Sequence, residues 1–165
     1  MGAGKFIAII GGILGILTVA LFYVLPEIFS FWRLETAGFE YYLGGFGFEA
    51  GTLFDPPEYA EDILLMLMFT LCVAGGAIAI IGGLIESKVI GIVGGIIMLA
   101  SPIILLIALF IEIGDFEDLA VIIGLFGGEG LIMGSEAGWE WGIWISTYLA
   151  FGAGALGVIG GAIID

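Results

Sequence analysis

Apolar residues in this chain gather into four long runs, each closed off by charge, proline or tryptophan. A helix needs about 20 apolar residues to cross roughly 30 Å of hydrocarbon. Phe6 to Leu25 reaches that length between Lys5 and Pro26-Glu27. Ile63 to Ile85 is opened by Glu61-Asp62 and closed by Glu86-Ser87-Lys88. Val89 to Ile111 ends at Glu112, and Gly142 to Ile164 runs from Trp139, Trp141 and Trp144 to Asp165. The pattern predicts an all-α membrane protein in one tetraspan domain over 1–165. Its spans cover about 6–25, 63–85, 89–111 and 142–164, joined by outer loops 26–62 and 112–141. The four-transmembrane-helix bundle should carry a small extracellular β-hairpin or sheet formed by those loops. Pro102, after Ser101, should bend the third span, which neighbouring helices tolerate in a bilayer. The first run is too long for a signal peptide and lacks a small-x-small exit, so it reads as a retained span.

The loops orient the spans. Only Glu86-Ser87-Lys88 separates the second run from the third, so those helices form a tight hairpin with Lys88 on the side of Lys5 and the C-terminus. The opposite side carries Arg33 and every acid except Glu86 and Asp165. Lys and Arg favour the cytoplasmic face, so both termini are expected in the cytoplasm, at the cell membrane. In the first loop, Phe39-Glu40-Tyr41-Tyr42-Leu43, Gly44-Gly45 and Phe46-Gly47-Phe48-Glu49 predict a β-hairpin. Pro56-Pro57 should end it. In the second, the eight apolar residues Leu119 to Phe126 are too short to span. They are either a strand added to that hairpin or a piece lying in the interface, and periodicity does not separate the two.

Small residues recur every four positions inside the runs: Gly11 and Gly15; Gly75, Ala79 and Gly83; Gly91 and Gly95; Ala153, Gly157 and Gly161. Residues four apart share a helix face, and the missing side chains let backbones approach. Two uses are open: internal packing of one bundle, or faces that join subunits.

Composition then excludes whole classes of chemistry. Of 165 residues, 61% are hydrophobic and 12% charged, with a mean hydropathy of +1.25, far too little polar surface for a soluble domain. There is no histidine, hence neither the commonest general base nor the commonest metal ligand. Three basic residues stand against 17 acids, a formal charge of −14, which excludes phosphate-backbone recognition and so nucleic acid. The single cysteine, Cys72, lies mid-span and reads as a small packing residue. No ionisable residue sits in mid-membrane, where transporters and proton relays keep theirs. Gly152, Gly154 and Gly157 match a dinucleotide fingerprint, but inside a span and outside any βαβ unit. The chain is expected to be no enzyme and to need no cofactor. Two acidic groups could attract divalent cations: Asp55, Glu58, Glu61 and Asp62, and, in the second loop, Asp115, Glu117 and Asp118 beside Glu112. Neither has EF-hand spacing, and a solvated acidic face explains both.

Trp32-Arg33-Leu34, shortly after Leu25-Pro26, resembles the Trp-Arg with which the first outer loops of claudins begin. Leu43-Gly44-Gly45-Phe46 resembles that family's Gly-Leu-Trp, and Gly138-Trp139 its Gly-Trp before the fourth span. In layout the whole chain resembles the tetraspan family of claudins and peripheral myelin protein. The loop-one cysteine pair of that family is absent, and Glu61-Asp62 stand where many claudins have an arginine. The resemblance implies a claudin-like protein of cell junctions, with Trp32 and Arg33 anchoring the outer loop at the membrane surface. Trp139, Trp141 and Trp144 read as ordinary interfacial aromatics. The function expected is non-enzymatic: association with itself, membrane lipid or a membrane-protein partner through glycine-rich helix faces and acidic outer loops. Two alternatives are an oligomeric cation channel with an acidic outer mouth and an accessory subunit of a larger membrane complex.

Overall fold

A computed structural model describes residues 2–44, 48–51, 54–59, 63–112, 117, 120, 123, 130–136 and 138–164, with main chain alone at 48–49, 54–59 and 64–65. Among the described residues, four helices are long and apolar enough to cross a membrane. They are α1 (Ala3–Ala20, prolonged by a 3-10 turn Leu21–Tyr23), α3 (Ile63–Leu84), α4 (Lys88–Ile111) and α5 (Ile145–Ala162). A four-residue helix, α2 (Pro26–Phe29), follows α1. Six strands complete the described elements: β1 (Trp32–Thr36), β2 (Phe39–Leu43), β3 (Phe48–Gly51), β4 (Phe54–Tyr59), β5 (Met133–Glu136) and β6 (Trp139–Ile143).

The helices form a ring in the order α1, α3, α4, α5, each packed on its two neighbours. Away from the sheet, small residues face inward and large aliphatics outward, whereas toward the sheet Leu105 and Leu109 are buried as well. On α4, Gly91, Gly94, Gly95, Met98 and Ala108 are buried, while Val93, Ile96, Ile103, Ile107 and Phe110 are exposed. That inversion of a soluble protein's arrangement follows when the solvent is lipid, because hydrocarbon tails accept Ile and Phe while backbones approach only where side chains are absent. α4 runs without interruption through Pro102, which is buried. At one end of the ring, Lys5 Nζ donates to Glu86 Oε1 at 2.6 Å, tying the start of α1 to the α3–α4 turn. The start of α1 also meets the end of α5, since a β-carbon on Gly4 would lie 2.6 Å from the main chain of Ile163.

The other end carries one antiparallel sheet in the order β4-β3-β2-β1-β6-β5. The expected hairpin is present as β2–β3, with Leu43 opposite Glu49, but it is one part of a larger sheet. β1 precedes it, joined to β2 by a turn in which Gly38 takes φ 96°. The second loop supplies β5 and β6, joined by a turn in which Gly138 takes φ 86°; side chains other than glycine rarely adopt that conformation. Two expectations are corrected, and of the two alternatives for the second loop's apolar stretch the strand is set aside. Pro56 and Pro57 do not end the hairpin but lie within β4, an edge strand, where a missing N–H is tolerated. The apolar stretch of the second loop contributes no strand at its described positions: Ala120 and Ile123 have helical backbone, and Ile123 is buried in the core. The fourth span starts at Ile145 rather than Gly142, because Trp139 to Ile143 belong to β6.

Candidate functional site

One buried side chain meets all three of the other long helices. Met98 of α4 is fully buried, and each of the other three spans presents a glycine to it. A β-carbon would lie 2.5 Å from Met98 Sδ at Gly15, 2.8 Å from Cγ at Gly75 and 2.8 Å from Cε at Gly157. An unbranched thioether suits a gap of that irregular shape. The remaining small residues join neighbouring helices. Gly11 packs on Ala153 and Gly157, Gly83 on Lys5 and Ile9, Gly91 and Gly161 on one another, Gly95 on Gly157 and Val158, and Ala79 on Gly94. Cys72 Sγ donates to the Gly15 carbonyl at 3.4 Å, a further α1–α3 link. These glycine faces are therefore occupied within one chain, which leaves them unavailable to a second copy. Gly152 is the contrast: it is exposed, and a β-carbon there would meet nothing within 4 Å.

Binding chemistry is concentrated at the sheet. Its face toward α3 and α4 is apolar: Trp32, Leu34, Tyr41, Leu43 and Trp141 share a core with Phe31, Phe69, Leu105 and Leu109. Trp32 was expected to anchor the loop at the membrane surface, but it is fully buried. Its indole Nε1 donates to the Leu131 carbonyl at 2.7 Å, so it fastens the two loop segments to each other. Trp141 is buried likewise and donates to the Gly130 carbonyl at 2.9 Å. Trp139 and Trp144 are partly exposed. Trp139 packs against Phe39, and Trp144, immediately before α5, donates to the Glu27 carbonyl at 3.2 Å.

The opposite face is acidic. Glu35 stands directly across from Glu40 on one side and from Glu140 on the other. Like charges so placed destabilise a sheet. The central carboxylate is held by two donors: Arg33 Nη1 and the Tyr42 hydroxyl each reach Glu35 Oε1 at 3.0 Å. Burial, reinforced by the Glu35 and Glu40 carboxylates, pushes the Tyr42 phenol well above its ordinary value, so it remains a donor. Arg33 also stacks on Trp144, its Cζ 3.2 Å from the ring centroid.

Of the acids expected to attract cations, Asp55 and Glu58 lie on β4 and Glu117 is exposed on helical backbone. Glu61, Asp62, Asp115 and Asp118 lie outside the described residues. Among the described residues no three His, Cys, Asp or Glu side chains are grouped to hold a metal ion.

Sequence reasoning missed Met98, the Glu35 row and a set of buried hydroxyls. Ser146 Oγ donates to the Phe29 carbonyl at 2.7 Å, and Thr147 Oγ1 to the Phe31 carbonyl at 2.7 Å. These bonds fix the α2–β1 link to the head of α5. The adjacent Ser-Thr just inside the fourth apolar run was a legible signal, since hydroxyls at membrane depth seek a partner. The chain matches no protein-family model and no curated protein.

Proposed function

We propose that the chain is a non-enzymatic tetraspan membrane protein that associates through its outer sheet, as its resemblance to claudins implies, with the glycine faces serving only to build the bundle. The difference between the two sheet edges carries this reading. At β4 the edge contains Pro56-Pro57, a feature that blunts strand addition. At β5 no strand among the described residues pairs with the outer edge, and Met133, Ser135 and Glu136 are exposed. Ile143 N–H donates to the Ile132 carbonyl, and antiparallel ladders alternate bonded and non-bonded pairs. The N–H groups of Met133 and Ser135 therefore point away from β6, toward any added strand. With one usable edge, the partner is a second copy joined by a two-fold axis, which closes as a dimer. Pairing Met133 of one copy with Ser135 of the other sets Glu136 across from Ile132, so the glutamates avoid each other.

A Ser135→Pro variant tests this, because it removes an outward donor while leaving the ladder to β6 intact. Size measurement in mild detergent should give a dimer for the natural chain and a monomer for the variant, with little change in melting. A monomeric natural chain, or an unchanged dimer in Ser135→Pro, would sink the reading. An accessory-subunit role predicts co-purifying proteins instead. A cation channel would need several copies around a shared pore, since within each bundle Met98 meets all three of the other long helices.

The expected orientation places the sheet outside and both termini in the cytoplasm. Impermeant thiol reagents applied to intact cells should label Ser135→Cys and leave Ser87→Cys unmodified. The native Cys72 is buried and gives a low background. The reverse labelling pattern would invert the topology.

A further inference from the structure

Arg33 is the only basic residue at the sheet-bearing end, and its partners do not saturate it. One guanidinium face lies on Trp144, and Nη1 is bonded to Glu35. Among the described residues no acceptor meets Nη2 or Nε. Only 18% of the side chain is exposed, yet Nη2 and Nε are not sealed from solvent, so they remain able to donate to a ligand. The guanidinium opens on a cavity of about 440 Å³. Glu140 and Ser135 line the same cavity, on the same face of the sheet, so it offers both a cationic and an anionic group.

The height and the surroundings of this cavity narrow its ligand. Trp144 is the residue before α5, which places the cavity where a span enters the headgroup layer, the level that interfacial tryptophans occupy. Ile143 lines the cavity and also an apolar groove of about 510 Å³ formed with Ile103, Leu106, Ile107 and Phe110. Apolar surface able to take a hydrocarbon chain thus begins at the cavity wall. A purely anionic headgroup would meet Glu35 and Glu140 well within the screening length of about 8 Å. A headgroup with both charges satisfies both groups.

We propose that this cavity binds the headgroup of a zwitterionic phospholipid, its phosphate on Arg33 and its ammonium on Glu140 and Ser135, with a hydrocarbon chain against Ile143. The site rests on the four helices spanning a bilayer and is independent of β5 pairing.

The test exposes the full-length protein in mild detergent to short-chain phosphatidylethanolamine, phosphatidylglycerol or inorganic phosphate. Native mass spectrometry counts bound lipid on monomer and dimer separately, and tryptophan fluorescence follows the titration. Phosphatidylethanolamine should be retained on both species, at least about tenfold more tightly than phosphatidylglycerol, since a hydrogen bond to a charged group is of that order. Arg33→Gln should lose retention by a similar factor. Glu140→Gln, at an exposed position, should fold normally and reverse the preference toward phosphatidylglycerol, which separates a lost site from a lost fold. Equal retention of both lipids by the natural chain and Glu140→Gln would overturn the proposal. So would a fluorescence response to inorganic phosphate as strong as that to the lipid. Failure of the dimer alone would leave the lipid result standing, and the reverse holds too.

Discussion

Gly157→Leu is expected to prevent the four spans from closing, whereas Gly152→Leu, five residues earlier on the same helix, should be tolerated. At Gly157 a β-carbon alone would lie 2.8 Å from both Gly95 Cα and Met98 Cε, and leucine adds three further carbons. The methionine tip can move, but the backbone of α4 can yield only by separating from α5. Overpacking of a well-filled core costs about 1–3 kcal/mol where side chains absorb it, and the cost rises when main chain must shift. Gly75→Leu should behave in the same way, since its β-carbon would lie 2.5 Å from the Met98 amide nitrogen. Met98→Ala approaches the same site from the other side. It leaves a void bordered by three glycines, and large-to-small core changes cost about 2–5 kcal/mol. The low end applies here, because lipid removes the water-transfer part and leaves mainly lost packing contact. Melting followed by circular dichroism in mild detergent would rank these variants. Natural-like melting of both Gly157→Leu and Gly75→Leu would show that α5 and α3 do not meet α4 at these glycines.

That comparison also bears on how much the sequence discloses. The apolar runs locate the four described helices long and apolar enough to span a membrane, because length and hydropathy are local properties of the chain. The four-residue spacing of glycines likewise shows which faces are bare. It does not show what covers them: Gly11 and Gly157 meet only because α1 and α5 are adjacent in the ring, and adjacency is a property of the whole chain. The sheet was half legible. Glycines mark the β2–β3 hairpin, and the alternation in Trp139-Glu140-Trp141 is a strand signal. That signal was masked by the apolar run it adjoins and by the habit of tryptophan of lining membrane interfaces. The burial of Trp32 and the alignment of Glu40, Glu35 and Glu140 depend on strand order and register. Glu40 meets Glu35 through the local β1–β2 hairpin, but Glu140 and the second-loop partners of Trp32 arrive with β6 beside β1, a pairing across about 100 residues that no local pattern encodes.

Trp32→Ala should detach the sheet from the second loop while leaving the spans folded. Trp32 is the largest fully buried side chain, set edge-on to Tyr41 with ring centroids 6.1 Å apart and flanked on its own ladder by Leu43 and Ile143. Removing a buried aromatic of this size costs about 3–5 kcal/mol. Trp32→Phe separates packing from hydrogen bonding. It keeps most of the ring but strands the Leu131 carbonyl, at about 1–3 kcal/mol for an unsatisfied buried acceptor. The glycine contacts that close the bundle do not involve Trp32, so far-UV circular dichroism should retain its helical signal in both variants. A glutamate-specific protease is a suitable probe of the sheet, because Glu35, Glu40, Glu136 and Glu140 all lie on its strands. Cleavage there should be fastest in Trp32→Ala, intermediate in Trp32→Phe and slowest in the natural chain. Trp144→Phe, which gives up an exposed 3.2 Å bond to Glu27 and keeps a ring beneath Arg33, should cleave nearly as slowly as the natural chain. If Trp32→Ala resists the protease as well as Trp144→Phe does, the sheet is held by its strand ladders alone and the Trp32–Leu131 bond has no fastening role.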